Sequence, residues 1–542
     1  MIPTAHTDTF ARDRLPPRGD WPELILDLPE LRYPERMKCA TEILAGAIAR
    51  GQGDRVAVRS TDGLSWTYRD LDVLSNRIAR VLVENLGVAP GNRVLLRGPN
   101  SPMMAACWFA IVKAGAIVVA TMPLLRAKEL TDIANKAQAS HALCDARLAV
   151  ELDLARPACP TLRSVLHFQT DAAGGVEALA AGKPASFDAV RTYAEDTALI
   201  AFTSGTTGQP KGTMHFHRDV IAACDCWPKY HLRAVPDDVF VGSPPLAFTF
   251  GLGGLLLFPL RIGASALLVE RPAPESLIDV IERFRPTVLF TAPTSYRAMA
   301  LQAAGRDFSS LRKCVSAGEA LPAATRKLWK DTTGIDIIDG IGSTEMLHIF
   351  ISHPDDDVKP GATGKPVPGY RAAILDEVGR PLPPGKVGRL AVQGPTGCKY
   401  LDDPRQSNYV QDGWNMTGDA YLCDEEGWYV YQARTDDMIV SAGYNIAGPE
   451  VESALLLHPA VAECGVVAAP DEERGMIVKA YVVLKPGHEG DAATTRALQD
   501  HVKATIAPYK YPRAIEYVGS LPRTETGKLQ RFRLRQMAQE GR

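Results

Sequence analysis

Thr203-Ser204-Gly205-Thr206-Thr207-Gly208-Gln209-Pro210-Lys211-Gly212 is the stretch around which the chain is organised. The run before it, Thr197-Ala198-Leu199-Ile200-Ala201-Phe202, is apolar and β-prone, and a segment able to form a helix begins near His217. The pattern predicts strand, flexible loop, helix. Glycine at 205, 208 and 212 lets the backbone turn where a Cβ would clash. The hydroxyls of Thr203, Ser204, Thr206 and Thr207, with a run of backbone N–H groups, suit phosphate oxygens, and Lys211 adds a positive charge. The stretch departs from the GxxxxGKS/T phosphate loop, because no Lys-Ser or Lys-Thr follows a second Gly at that spacing. A plain Gly/Ser/Thr linker is the alternative, but a linker rarely sits tightly between strand and helix with Pro-Lys-Gly closing it.

Working outward, 542 residues are too many for one ordinary core, so two or more domains are expected. The 60 basic and 63 acidic residues leave a net charge of -3, which gives no general attraction to nucleic acid or an anionic membrane. Met1 to Leu24 is polar and shows no apolar signal-peptide region. The longest apolar stretch, Met103 to Met122, contains Lys113 and Gly115 and reads as a buried helix followed by a strand. Ten scattered cysteines with no CxxC pair suggest a reduced, cytoplasmic setting. His215-x-His217 with Cys224-x-Cys226 has the residue types of a zinc set, but cysteines two apart on a helix face different ways, so ordinary packing is expected.

From Arg55 onward strands and helices alternate. Strands are expected at Arg55–Arg59, Arg93–Leu96, Ala116–Thr121, His141–Cys144 and Ser164–Phe168. Tyr68–Leu86 reads as a helix, and Ser101-Pro102 as a helix start with Gly115 as its stop. After the central loop the expected strands are Val239–Gly242, Ser265–Val269, Thr287–Thr291, Cys314–Ser316 and Ile335–Asp339. Helices at Pro274–Phe284 and Pro322–Thr332 separate them, and Gly251–Leu260 is apolar on all sides. The fold class expected is α/β: a large N-terminal domain of two βα-layered sheets (1–435), with a β-rich subdomain from about 361 to 435. A small, mobile α+β C-terminal domain (436–542) follows. In such sheets ligands sit at the strand C-termini.

Polar clusters interrupt the buried strands. Gly340-Ile341-Gly342-Ser343-Thr344-Glu345 follows the strand expected to end at Asp339, and Glu345 suits Mg²⁺ on phosphates. Thr417-Gly418-Asp419 offers a carboxylate to ribose hydroxyls, Arg434-Thr435-Asp436-Asp437 lies at the domain boundary, and Lys528 sits in Pro522-Arg523-Thr524-Glu525-Thr526-Gly527-Lys528. Each has a plain reading, as a turn or a solvated charge.

In order and spacing these segments together resemble the acyl-adenylate-forming superfamily, over roughly Arg55 to Lys528. The resemblance implies that Thr203, Ser204, Gly205, Thr206, Thr207, Gly208 and Lys211 surround the ATP phosphates. It places Ser316-Ala317-Gly318-Glu319 and Asp339, Gly340, Ile341 and Gly342 on the adenine, with Ser343 beside them. Thr344 would touch the α-phosphate or the acyl carboxylate, Glu345 would hold Mg²⁺, Asp419 and Arg434 would bind ribose, and Lys528 would act in adenylation. Asp436 would be the hinge, and Ala442-Gly443 would come to the thiol tunnel once the C-terminal domain turns. Many relatives carry an aromatic residue where this chain has Ile341, so the purine would lie on an aliphatic side chain.

The region Pro244-Pro245-Leu246-Ala247-Phe248-Thr249-Phe250-Gly251 lacks the Asp that pairs with an α-amine in peptide-synthetase domains. Asp339–Phe350 and Phe248–Gly253 look like the benzoate-CoA ligase branch, which would put Phe248, Thr249, Phe250 and His348 around a flat ring. Thr7-Asp8-Thr9-Phe10-Ala11-Arg12-Asp13-Arg14-Leu15-Pro16-Pro17 looks like 2-aminobenzoate-CoA ligases. The implied activity is an ATP- and Mg²⁺-dependent aryl-CoA ligase with CoA as co-substrate, best with 2-aminobenzoate. Alternatives are benzoate or hydroxybenzoate, a short- or medium-chain acid, a carrier-protein thiol as acceptor, or a non-catalytic nucleotide-binding protein. The expected partners are small molecules, with no nucleic acid and no membrane; a homodimer is compatible with the sequence.

Overall fold

In the computed structural model, residues 3–204, 210–441, 444–471, 475–506, 508–523 and 528–540 are described. The first large sheet has six strands. In spatial order they are Ser164–Phe168, His141–Asp145, Arg93–Arg97, Ile117–Thr121, β1 (Thr197–Ser204) and β2 (Pro210–Phe216). All neighbours are parallel except β1 and β2. The strands are apolar runs because helices cover both faces. One of these helices is α1 (Pro102–Lys113), every residue of which is buried. Ser101 caps α1 by accepting the Met104 N–H at 3.2 Å, Pro102 opens it, and Gly115 at φ +75° ends it, as the sequence predicts.

One expectation is corrected here. The central loop does not lead straight from strand to helix. It joins the arms of an antiparallel hairpin, with Thr203 opposite Lys211, and the helix α2 (His217–Asp225) follows only after β2. Thr213, Met214, His215 and Phe216 are all buried, which holds residues 210–216 extended in the sheet. Segment 399–401 adds a further rung beside β2: Met214 N–H donates to Lys399 O and Leu401 N–H to Gly212 O, both at 2.8 Å. The Lys399 ammonium, fully buried, is paired with the fully buried Asp219 at 3.1 Å.

The second large sheet has nine strands. Their spatial order is Lys365–Pro366, Ile349–Ser352, β3 (Ile337–Gly342), Lys313–Ser316, Val288–Thr291, Val239–Gly242, Ser265–Leu268, Val56–Ser60 and Ser65–Thr67. The interior pairs are parallel and the outermost ones antiparallel. β3 runs three residues past Asp339, because Ile349–Ser352 pairs back along Gly340, Ile341 and Gly342. Gly342 is needed there, since a Cβ would stand 2.6 Å from the His348 carbonyl oxygen.

A third sheet contains Arg371–Leu375, Val387–Gln393, β4 (Trp414–Cys423) and Val410–Gln411, and β5 (Tyr429–Arg434) also pairs with β4. Beyond it, Met438–Ser441 pairs with Tyr444–Ala447, and Val461–Asp471, Gly475–Leu484 and Ala514–Tyr517 form a three-stranded sheet. Val466, Val478, Val482, Leu498 and Val502 make a separate core under that sheet. Among the described residues no helix is long and apolar enough to cross a membrane.

Candidate active site

The turn after β3 is held from every side. Ser343 Oγ lies 3.2 Å from Tyr409 Oη, and His215 Nε2 lies 2.7 Å from Thr344 O. Tyr400 Oη donates to Glu345 Oε1 at 2.6 Å, and Thr396 Oγ1 donates to Met346 O at 2.8 Å. A carbonyl can only accept, so His215 carries its proton on Nε2. Burial pushes His215 down to about 4 and keeps the ring neutral. Lys211 reaches the same place from β2: its Nζ donates to Tyr400 Oη at 3.0 Å and lies 3.7 Å from Glu345 Oε1. Lys211, Thr344 and Glu345 are therefore brought together as the sequence suggests. Tyr400 and His215 were not singled out for this site. Tyr400 lies 55 positions from Glu345 in the chain, and no local pattern links them.

A second group faces them. Asp339, on β3, is buried, and burial raises its carboxyl to about 7. Its Oδ1 has no partner among the described residues, so a polar acceptor is left for a ligand. Ile341, Gly342 and Ser343 beside it are half-buried. Asp419 on β4 stands opposite Arg434 at the end of β5, with Arg434 Nη1 donating to Asp419 Oδ1 at 3.1 Å and to Thr417 O at 3.0 Å. The tripeptide 417–419 lies inside a strand rather than in a turn, and Gly418 takes φ +75°, where a Cβ would meet Arg434 Nη2 at 2.8 Å. Burial raises the Asp419 carboxyl, against the pull of Arg434.

Lys528 arrives from the C-terminal segment over Gly318: a Cβ there would lie 3.7 Å from Lys528 Cε. Desolvation by the surrounding protein pushes its ammonium down, while Glu319 and Asp419 pull it up and Arg434 pushes it further down. Glu319 is raised by burial and drawn down by Arg523, Lys528 and Arg531. Gly318 thus lies against Lys528, and Glu319, Asp419 and Arg434 are within electrostatic reach of it. Thr203 is half-buried at the end of β1, and its hydroxyl has no partner among the described residues. Ser204 ends that strand, and Asp436 lies in the short turn Thr435–Asp437 after β5. Gly205, Thr206, Thr207, Gly208, Ala442 and Gly443 lie outside the described residues.

The third part is aromatic. A helical run over 249–262 starts at Thr249, with a π-helical turn over Gly253–Leu257. Phe248 precedes it, in a loop fixed by Asn100, which donates to Pro244 O at 2.9 Å and accepts from Leu246 N–H at 2.7 Å. The rings of Phe250 and His348 are 5.7 Å apart, and Phe258, Phe290 and Trp227 pack around them. His348 Nε2 lies 3.3 Å from Phe250 O, Nδ1 has no partner among the described residues, and burial pushes the ring down to about 3. Gly253 makes room for it: a Cβ would stand 2.4 Å from His348 Cδ2. Phe250 and His348 therefore form one wall with Thr249 beside it. His215 and His217 take different partners, with His217 Nδ1 3.2 Å from Cys39 Sγ.

The chain resembles known proteins over most of its length. Residues 47–399 match the AMP-binding enzyme family and residues 450–528 the AMP-binding enzyme C-terminal domain. The benzoate–CoA ligase of Thauera aromatica is 37% identical over 519 residues, covering 94% of this chain and 97% of that protein. The mitochondrial acyl-coenzyme A synthetase ACSM3 of Mus musculus is 34% identical over 490 residues, 87% of this chain and 84% of that one. Among solved structures, the anthranilate CoA ligase AuaEII with anthranoyl-AMP superposes with a TM-score of 0.89 at 35% identity, covering 95% of this chain and 99% of that one. A benzoate CoA ligase from Burkholderia xenovorans LB400 gives 0.84 at 32% identity, covering 92% of this chain and 100% of that one. The chain belongs to the AMP-binding enzyme family and is an acyl-CoA ligase of its aryl/acyl-CoA branch.

Proposed function

We propose that the chain activates an aromatic carboxylate, best 2-aminobenzoate, to its acyl-adenylate with release of pyrophosphate, then forms the CoA thioester with release of AMP. The observation that carries the choice of acid is the wall of Phe250 and His348 with Thr249 at its side. Flat rings suit such a wall, worth on the order of 1 kcal/mol beyond burial. The Thr249 hydroxyl would accept from an ortho-amino group, and the unpartnered Nδ1 of neutral His348 is a second acceptor of the same kind. Relatives named for benzoate and anthranilate support the same class of acid.

In adenylation the acid's carboxylate attacks the α-phosphorus of ATP. Both reactants are anionic, so the step depends on positioning and on offsetting charge. Lys528 would sit between carboxylate and α-phosphate, with Thr344 beside it. Lys211 and the loop residues Thr203, Ser204, Gly205, Thr206, Thr207 and Gly208 would hold the outer phosphates. Asp419 and Arg434 would bind ribose, and Gly318, Glu319, Asp339, Gly340, Ile341, Gly342 and Ser343 would line the adenine. Glu345 is buried beside the Lys211 ammonium, and its carboxylate fits a hard divalent cation. Mg²⁺ bound with ATP supplies charge neutralisation at the phosphates. For the thiol step residues 436–542 would turn about Asp436, carrying Lys528 away and bringing Ala442-Gly443 in, where glycine leaves room for the pantetheine arm.

The test of the acid is Thr249→Ala. Loss of one neutral hydrogen bond is worth about 1 kcal/mol, so the kcat/KM ratio of 2-aminobenzoate over benzoate falls roughly fivefold. An unchanged ratio removes Thr249 from the account.

A further inference from the structure

Nothing in its own turn orients the Glu345 side chain. Thr344 O and Met346 O are tied by His215 and Thr396, and Ser343 by Tyr409, but the Glu345 carboxylate is held by Tyr400. Tyr400 is itself firmly placed. Its neighbours Lys399 and Leu401 pair with β2, and its own N–H donates to Gln406 Oε1 at 2.9 Å. Its ring is buried and meets Tyr409 edge-on at 5.8 Å. Its hydroxyl accepts from Lys211 and donates to Glu345, so the two bonds orient each other.

We infer that Tyr400 is a positioning residue for the nucleotide step: it fixes one oxygen of Glu345, leaves the other to face the divalent cation that accompanies ATP, and keeps the Lys211 ammonium apart from that carboxylate. The inference rests on the proposed reading of Glu345 as the cation-holding residue. The physical consequence is a competition. Lys211 Nζ and Glu345 Oε1 are already 3.7 Å apart, with the Tyr400 hydroxyl bonded to both. Without that hydroxyl the two charges close into a direct ion pair, and a cation must break it to bind.

The test uses the whole enzyme with Mn²⁺ and a non-hydrolysable ATP analogue, bound cation being read by electron paramagnetic resonance. In Tyr400→Phe the ring remains and only the hydroxyl is lost. Cation affinity falls on the order of 10-fold, the effect typical of removing a partner that orients a metal ligand. AMP formation needs correspondingly more Mg²⁺, while thioester formation from supplied acyl-adenylate and CoA keeps its rate. Wild-type Mn²⁺ affinity in Tyr400→Phe overturns the inference. Glu345→Gln separates the two readings. If it loses the cation while Tyr400→Phe does not, only the positioning role falls. If Glu345→Gln also binds Mn²⁺ normally, the assignment of Glu345 falls and the inference with it.

Discussion

In the proposed adenylation Lys528 would stand where the two anionic reactants meet. It lies over Gly318, beside Glu319, with Asp419 and Arg434 within electrostatic reach. Removing one preorganised donor of this kind costs on the order of 10²- to 10³-fold in rate. Lys528→Ala is therefore expected to lose at least 100-fold in AMP formation, to bind ATP still, and to form thioester normally from supplied acyl-adenylate. Pyrophosphate exchange measures the first quantity and equilibrium binding the second. An unaltered exchange rate contradicts the role given to Lys528. At this scale the sequence marked short polar clusters that carried weight only in combination, and the structure brings Lys211 to Glu345 and Lys528 within electrostatic reach of Asp419 and Arg434. It gave no reason to bring Tyr400, His215, Thr396 and Asn100 to this site, since the partners they take there are 50 to 189 positions away and are met only once the sheets form.

At the scale of the element, the π-helical turn at Gly253–Leu257 shapes the aromatic wall. Exchanging Gly for Ala inside a helix normally gains about 1 kcal/mol. At Gly253 the new methyl would lie 2.4 Å from His348 Cδ2 and 2.9 Å from Phe258 Cζ. Overpacking typically costs about 1–3 kcal/mol, so the clash outweighs the helix gain. Gly253→Ala is expected to lower the thermal midpoint and raise KM for the aryl acid while leaving KM for ATP unchanged; a thermal melt and steady-state kinetics check both. Elements whose signals are local were legible. Ser164–Phe168 and Pro274–Phe284 fall where the periodicity predicts, and Ser101-Pro102 opens α1. Elements set by distant partners were not. β2 is a strand because it pairs with β1 and with segment 399–401, and β3 runs on to Gly342 because Ile349–Ser352 pairs back on it. Local composition carries neither fact.

For the whole molecule, buried neutral histidines tie stability to pH. Burial pushes His215, His231 and His353 down to about 4 and His348 to about 3, against an ordinary value near 6.5. Their folded values are depressed, so as pH falls below about 6.5 the unfolded chain takes up protons that the folded protein refuses, and stability is lost. At pH 5 each such ring costs about 2 kcal/mol. Asp339, raised to about 7, acts in the opposite direction and offsets roughly one of them. The thermal midpoint is therefore expected to drop by several degrees between pH 7 and pH 5, as a fluorescence melt across that range would record. A flat midpoint would mean that the rings accept protons without unfolding.

The central claim is a two-step ligase for an aryl acid, and AMP release tests it most directly. Purified protein with ATP and Mg²⁺ is given benzoate, 2-aminobenzoate, 4-hydroxybenzoate, phenylacetate and hexanoate, each with and without CoA. The account predicts AMP release that depends on CoA and is highest for 2-aminobenzoate. Highest turnover with hexanoate would contradict the aromatic wall as the acid site, and AMP release indifferent to CoA would contradict the thioester step.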